Sequence, residues 1–372
     1  RDVAIIGAGA AGASAAFHLA YKNKDVVLLE KNISPIIKSC GGGMAASVQN
    51  LFPFNFSPII EEIIQTVEFT WCLSDQVVAN LPGSSPFWIV KREKLDEFLI
   101  KNSISQGASI IKPFKVSNIK KENNHWIIFS EDEQYIKSKA IIIADGSKSP
   151  WPTFFKVGPR NLHYASTTSI RLDNKGLLKE GTSRFEFGLV QHGFAWAFPL
   201  NESVNIGVGT FIGRKHQDTE VVLSQLLPSL GFHPDEGHRS QSLLRVWNGH
   251  SVLHNDGILV VGDAASLCDP FLAEGLRPAL ISGKEAADSL NLWLEGKKDN
   301  LSSYTNNMKI KWGNSMAWGR RISQVFYRFP QIGYQLGIKR PTAPARIAQI
   351  LSGEMSYEDI AQRVIKRLIL QK

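Results

Sequence analysis

The sequence predicts an α/β fold: a Rossmann-like nucleotide-binding domain, an antiparallel β-sheet domain inserted into it, and a C-terminal helical segment. Three observations carry that expectation. Residues 3–12 read as an apolar strand running into a glycine-rich turn, and Gly262-Asp263 closes a similar strand far along the chain. Between them, residues 151–249 alternate apolar and polar with period two, as antiparallel strands do.

The first element is Val3-Ala-Ile-Ile followed by Gly7, Gly9 and Gly12 in GxGxxG spacing, a strand feeding a helix. The glycines serve a tight turn, close backbone approach to a pyrophosphate, and close packing of helix on strand; phosphates sit where the helix N-terminus leaves N–H groups free. A second strand, Val26-Val-Leu-Leu29, ends in Glu30, a carboxylate suited to accept from ribose hydroxyls and to repel a 2′-phosphate. The late strand Gly257-Ile-Leu-Val-Val ends in Gly262-Asp263. In large flavoproteins a Gly-Asp at such a strand end receives the ribityl chain. Two distant turns meeting around one long ligand fit FAD, which makes this a Rossmann-like FAD-binding domain.

Three blocks, 1–49, 86–150 and 250–300, supply that discontinuous domain. In the middle block, Lys91–Ile100 reads as a helix with Leu95, Phe98 and Leu99 on its buried stripe and Arg92 near its start. Strand-like segments follow at 108–117 and 125–129, and Ala140-Ile-Ile-Ile-Ala ends in Asp145-Gly146. Residues 50–85 and 151–249 form the β-rich substrate domain, with half-buried strands expected around Ser183–Val190, Phe194–Phe198 and Val204–Phe211. From 301 to 372 the pattern is helical and ends in an amphipathic stretch from Tyr357.

At 372 residues, 43% hydrophobic and 20% charged, the chain has room for two cores. It contains no apolar run of the ~18 residues that would span a membrane. The first strand begins at once, which argues against a retained signal sequence. Cys40, Cys72 and Cys268 are few and far apart, giving neither a disulfide framework nor a metal spacing, so a reducing, cytoplasmic setting is expected. Isolated histidines such as His192, His250 and His254 suggest no metal site either.

The net charge of +8 is concentrated late. Lys309, Lys311, Arg320, Arg321, Arg328, Lys339, Arg340, Arg346, Arg363, Lys366, Arg367 and Lys372 face only Glu354, Glu358 and Asp359, and Trp312, Trp318, Phe326, Tyr327, Phe329 and Tyr334 are interleaved with them. Two readings stand: a solvated helical face with its aromatics in the core, or a basic aromatic surface for an anionic membrane or substrate, which would put the protein peripherally on a membrane. No recognition motif accompanies the charge, so nucleic acid is not an expected partner.

With these residues in view, the chain resembles the geranylgeranyl reductase family, within the para-hydroxybenzoate hydroxylase-like flavoproteins. Four signatures carry the resemblance: Gly7-to-Gly12 with Glu30; Lys38-Ser-Cys40-Gly41-Gly42-Gly43, like KxCGGG; Phe194-Ala-Trp196-Ala-Phe198-Pro199, like YxWxFP; and Gly262-Asp263-Ala-Ala with Ala273-Glu274-Gly275-Leu276-Arg277. The chain departs from the pattern at Phe194, Ser39 and Ala273, where relatives often have Tyr, Pro and Gly.

The resemblance implies FAD-dependent saturation of isoprenoid C=C bonds, with NADPH or ferredoxin as electron donor. It implies cofactor contacts from Gly7, Gly9, Ala10, Ala11, Gly12, Glu30, Lys31, Arg92, Val116, Asp145, Gly146, Asp263, Gly275 and Leu276. Cys40, Gly42, Trp196 and Phe198 are the implied catalytic residues, and Phe194, Trp196, Phe198 and Pro199 the implied substrate contacts. An isolated alkene is unactivated, so a dry aromatic tunnel that positions it is the site such chemistry asks for. Two other readings fit the fold: an FAD-dependent aromatic hydroxylase or monooxygenase, and a non-enzymatic prenyl-binding escort protein, against which Glu30 and Asp263 speak.

Overall fold

The computed structural model describes residues 1–34, 39–84, 86–211 and 218–370, excepting the side chains of 364, 365 and 367–370. Lys38, Lys372 and the side chain of Arg367 therefore lie outside the described residues.

The short apolar runs read from the sequence are the strands of a six-stranded sheet. Its order is His254–Asn255, Ile258–Val260, Ala140–Ile143, Val3–Ile6, Val26–Leu29 and Ser109–Ile111, parallel throughout except for the first pair. Continuous β-branched runs suit strands covered on both faces, and Val3–Ile6, Val26–Leu29 and Ala140–Ile143 are buried along their whole length. The strand that leads to Asp263 lies two places from the one that leads to Gly7, so both turns emerge at the same carboxyl edge.

Helices Ala10–Ala20 and Leu276–Leu294 lie against each other, and both begin at that edge. Gly283 permits the approach, since a Cβ there would stand 2.4 Å from the Ala11 carbonyl oxygen. Ser14 Oγ adds a bond to the Leu280 carbonyl at 2.9 Å. The expected 108–117 strand is broken: Ser109–Ile111 joins the parallel sheet, whereas Val116–Glu122 begins a separate three-stranded antiparallel sheet. Pro113, which has no N–H to give a ladder, lies in the gap.

A seven-stranded sheet holds the β-rich residues, in the order Arg239–Val246, His163–Asp173, Ser203–Thr210, Gly193–Leu200, Thr182–Phe187, Thr66–Trp71 and Ser74–Asn80. Its central strand Gly193–Leu200 is buried at every position, not half-buried as the alternation suggested. The reason is a second core behind the sheet, in which Ala195 and Ala197 are buried together with Val222, Leu223 and Leu226 of helix Thr219–Leu226, a helix packed on the neighbouring strands Ser203–Thr210 and His163–Asp173. Phe194, Trp196 and Phe198 take the other face.

After residue 301 the chain is helical: Ser302–Met308, Asn314–Arg328, Pro330–Gly337, Ala343–Ser352 and Tyr357–Leu370. Most of its aromatics turn inward, Phe329 being exposed. Tyr304 Oη donates to the Val260 carbonyl at 2.7 Å, Trp312 Nε1 to Leu267 at 2.8 Å, and Tyr327 Oη to Phe271 at 2.9 Å. Each buried ring thus satisfies its polar tip on backbone that leads into the cofactor edge. Among the described residues no helix is long and apolar enough to cross a membrane.

Candidate active site

At the carboxyl edge of the parallel sheet, between it and the seven-stranded sheet, a cavity opens. Gly9, Ala10, Ala11 and Gly146 line it from one side, Asp263, Gly275 and Leu276 from another, and Cys40, Gly41, Gly42 and Gly43 from a third. The two distant turns therefore meet at one cavity.

The local backbone follows from its glycines. Gly7 has φ +98°, and a Cβ there would press on the Ala144 carbonyl oxygen at 2.6 Å. Gly12 allows no side chain, since a Cβ would stand 2.0 Å from the Gly7 carbonyl oxygen. Gly9 caps helix Ala10–Ala20 without any side-chain bond, which leaves the first turn's N–H groups for a ligand. Gly275 begins helix Leu276–Leu294 in the same uncapped way.

Glu30 is occupied by backbone. Its Oε2 accepts from Ala8 N at 3.0 Å, and its Oε1 accepts from Asn32 N at 3.0 Å and Asn32 Nδ2 at 2.7 Å. It braces the glycine turn directly, a role spacing alone did not reveal. Lys31 is exposed, and neither it, Glu30 nor Val116 lines the cavity. Pro199 does not line it either, because period-two alternation turns it away from Phe194, Trp196 and Phe198.

Arg92 opens helix Arg92–Ser105 and reaches the cavity, with its Nη2 3.2 Å from Asp96 Oδ1. Burial opposes its charge, but the Asp96 carboxylate and the Cys40 sulfur hold its pKa above the usual arginine range. Among the described residues its Nε has no hydrogen-bond partner. Asp145 likewise keeps a buried Oδ1 without a partner, and burial pushes its carboxyl up to about 6. Glu274 bonds Arg277 Nη2 through Oε2 at 2.6 Å, while its Oε1 and the Arg277 Nε are buried and unpaired. A native protein leaves few such atoms unsatisfied. The arginine N–H groups and the two uncapped helix starts suit the phosphate oxygens of a bound dinucleotide, and the carboxylate oxygens suit its hydroxyl and ring N–H donors. The residues present fit FAD.

The opposite wall is aromatic. Phe194 stands 5.5 Å from Phe185, 4.9 Å from Phe211 and 6.4 Å from Trp196, and Phe185 is 5.2 Å from Phe198, ring centre to ring centre. Trp196 Nε1 donates to Asn205 Oδ1 at 2.8 Å, both buried. The glycine loop presses on this wall: a Cβ on Gly43 would meet the Phe87 ring at 2.6 Å, and Gly42, at φ +77°, would meet the Val90 carbonyl oxygen at 2.1 Å. Gly42 N also donates to Cys40 Sγ at 3.3 Å, turning the thiol into the loop.

Ser39 now has a reason to replace Pro. Its N–H donates to Ser242 Oγ at 3.1 Å and its hydroxyl to Ser169 Oγ at 3.0 Å, tying the loop to the seven-stranded sheet by bonds that proline could not make. Sequence reasoning missed Phe87, Phe185, Phe211, Asn205 and Leu351. Only Phe185 and Asn205 had a visible signal: period-two spacing in Phe185-Glu-Phe187, and a lone amide among apolar residues in Val204-Asn-Ile.

Comparison with known proteins agrees. The family described as FAD dependent oxidoreductase matches residues 2–44. An uncharacterized protein of Methanosarcina barkeri is 29% identical over 293 residues, covering 78% of this chain and 74% of that one. The digeranylgeranylglycerophospholipid reductase of Methanocaldococcus jannaschii is 24% identical over 333 residues, covering 83% and 82%. In structure, a geranylgeranyl bacteriochlorophyll reductase-like protein of Thermoplasma acidophilum superposes with TM-score 0.79 at 20% identity, covering 100% of this chain and 96% of its own. The chain is an FAD-dependent oxidoreductase similar to the geranylgeranyl reductases.

Proposed function

We propose that this protein saturates isolated C=C bonds of a prenyl chain, carried as a diphosphate or attached to a lipid, quinone or tetrapyrrole. The observation that carries this reading is the aromatic wall of Phe185, Phe194, Trp196, Phe198 and Phe211, facing the edge where Gly9 and Asp263 meet. Reduced flavin, when bound, supplies the hydride. The chain's own part is to hold the pyrophosphate at the start of helix Ala10–Ala20 with Arg92, to receive the ribityl chain at Asp263, and to aim the free N–H groups at the start of helix Leu276–Leu294 toward the flavin ring.

The aromatic wall excludes water and fixes the apolar chain in one pose, which for an unactivated alkene supplies much of the acceleration. The small residues Gly41 to Gly43 let a substrate come close without a side chain between. Cys40, on the same loop, steers it. NADPH and ferredoxin are both suitable sources of electrons, and peripheral contact with a membrane would suit a lipid-borne substrate.

The test is anaerobic. Protein loaded with FAD and reduced by dithionite is mixed with geranylgeranyl diphosphate or a geranylgeranylated glycerophospholipid, and products are weighed by mass spectrometry. The expected result is a gain of two hydrogens per saturated bond. An unchanged substrate in both cases, with flavin bound and reduced, refutes the proposal.

A further inference from the structure

We propose that the corner between helices Asn314–Arg328 and Pro330–Gly337 is a docking surface for an anionic lipid bilayer. Four large apolar side chains are exposed there: Val325 at 69%, Phe329 at 54%, Ile332 at 58% and Leu336 at 54%. Ile332 and Leu336 are four residues apart in one helix, so their side chains lie one above the other, and Phe329 stands at the break between the two helices with its N–H on the Val325 carbonyl at 3.3 Å. Such a cluster in water is unfavourable and marks a contact surface.

The charge carried by the helical segment itself has one sign. From Leu301 to Gly353 the sequence contains no Asp or Glu, yet it holds Lys309, Lys311, Arg320, Arg321, Arg328, Lys339, Arg340 and Arg346. Lys339 is neutralised by Asp75 at 2.6 Å. Arg321 and Arg328 instead lie over the rings of Trp318 and Phe329, at 4.6 Å and 5.7 Å, and among the described residues neither they nor Arg340 has a carboxylate ion-pair partner. Apolar side chains that enter the acyl boundary, rimmed by arginines at headgroup level, are complementary to an anionic bilayer.

The corner also backs onto the active site. Phe326, on the inner side of the same helix, stands 5.4 Å from Phe187 and 5.2 Å from Phe271; Phe187 is 5.8 Å from Phe194 of the cavity wall. Two aromatic rings in succession, Phe187 and Phe326, therefore link the cavity wall to the helix that carries the docking surface. This link rests on the prenyl-reductase reading, since a prenyl tail partitions into the bilayer. The basic tail expected from sequence to meet a membrane is thereby narrowed to this corner. Helix Tyr357–Leu370 begins by turning inward, with Tyr357 buried and its Oη bonded to Asp269 at 2.8 Å.

The FAD-loaded protein, without any isoprenoid, is co-sedimented with vesicles of phosphatidylcholine alone or mixed with phosphatidylglycerol. Wild type is expected to pellet with the anionic vesicles only. Ile332→Asp with Leu336→Asp should lower that partition at least about tenfold, and Arg321→Glu with Arg328→Glu at least about fivefold per site. Phe329→Ser is a milder variant should the aspartates perturb folding, and flavin absorbance and melting temperature check each protein.

Wild-type and variant proteins binding anionic vesicles equally overturns the proposal. So does a wild-type dimer that the aspartate variant splits, with no preference for anionic vesicles, which would give the face to a second copy. Vesicle binding needs no turnover: retained binding with no prenyl reduction by wild type refutes the function and leaves the docking surface standing. All variants should reduce soluble geranylgeranyl diphosphate at the wild-type rate.

Discussion

Gly41 sits so close to Phe198 that a Cβ on it would stand 2.7 Å from two atoms of the ring and 3.1 Å from Trp196 Nε1. The glycine loop and the aromatic wall are therefore one fitted surface, and neither can change size alone. Gly41→Ala should push Phe198 into the cavity at an overpacking cost of about 1–3 kcal/mol. Because the displaced ring faces the substrate, prenyl reduction should fall about tenfold or more while FAD stays bound. Paired measurements of melting temperature, flavin content and turnover check this; a fall in flavin content equal to the fall in rate would count against a fitted wall.

Trp196 is held by a single polar contact, to Asn205. Asn205→Ala leaves a buried indole N–H without an acceptor and should destabilise the fold by about 1–3 kcal/mol. Trp196→Phe carries its own loss and leaves the amide unpaired. Since each single change strands a partner, the double variant should cost less than the sum of the two. Urea unfolding of the four proteins gives the coupling, and strict additivity would remove the contact's importance.

The parallel sheet and its turns were legible because glycine spacing and uninterrupted β-branched runs are local signals, and Gly7 and Gly262 each close such a run. The back of the β layer was not. Helix Thr219–Leu226 is short, and the core it shares with Ala195 and Ala197 is a tertiary fact that alternation along one strand cannot reveal. Leu351 reaches the cavity from helix Ala343–Ser352, far along the chain, without any motif. Phe211 and Leu253 both read as buried apolar residues, yet only Phe211 lines the cavity. Which buried side chain faces a void is decided by packing alone.

Asp145 carries a pH dependence. Burial raises its carboxyl to about 6 in the folded chain, above the ordinary aspartate value. The folded state thus holds a proton that the unfolded state has released, so stability is greatest below about pH 4 and declines as pH rises through 6. Discounted for its partial exposure, the loss attributable to this residue is about 2 kcal/mol. Urea midpoints of the FAD-free protein between pH 4 and 7, compared with Asp145→Asn, isolate it: the variant should show a shallower decline. Parallel pH profiles would mean that another group is responsible.

Ala273, on the loop between Asp269 and helix Leu276–Leu294, has φ +56° and lines the cavity. A left-handed alanine costs about 1–2 kcal/mol relative to an unstrained conformation, whereas glycine adopts it freely but loses about 0.5–1 kcal/mol of unfolded-state entropy. The balance favours glycine, so Ala273→Gly should raise stability by about 0.5–1 kcal/mol, and Ala273→Val, β-branched in the same conformation, should lower it further than alanine. Asp269 holds the loop from the other side, accepting from the Phe271 and Leu272 amides at 2.6 Å and 3.1 Å, so the strain is borne by a backbone already fixed. Denaturant midpoints decide the sign. A destabilised glycine variant would mean that the alanine methyl's contacts at the cavity outweigh the strain of holding it there.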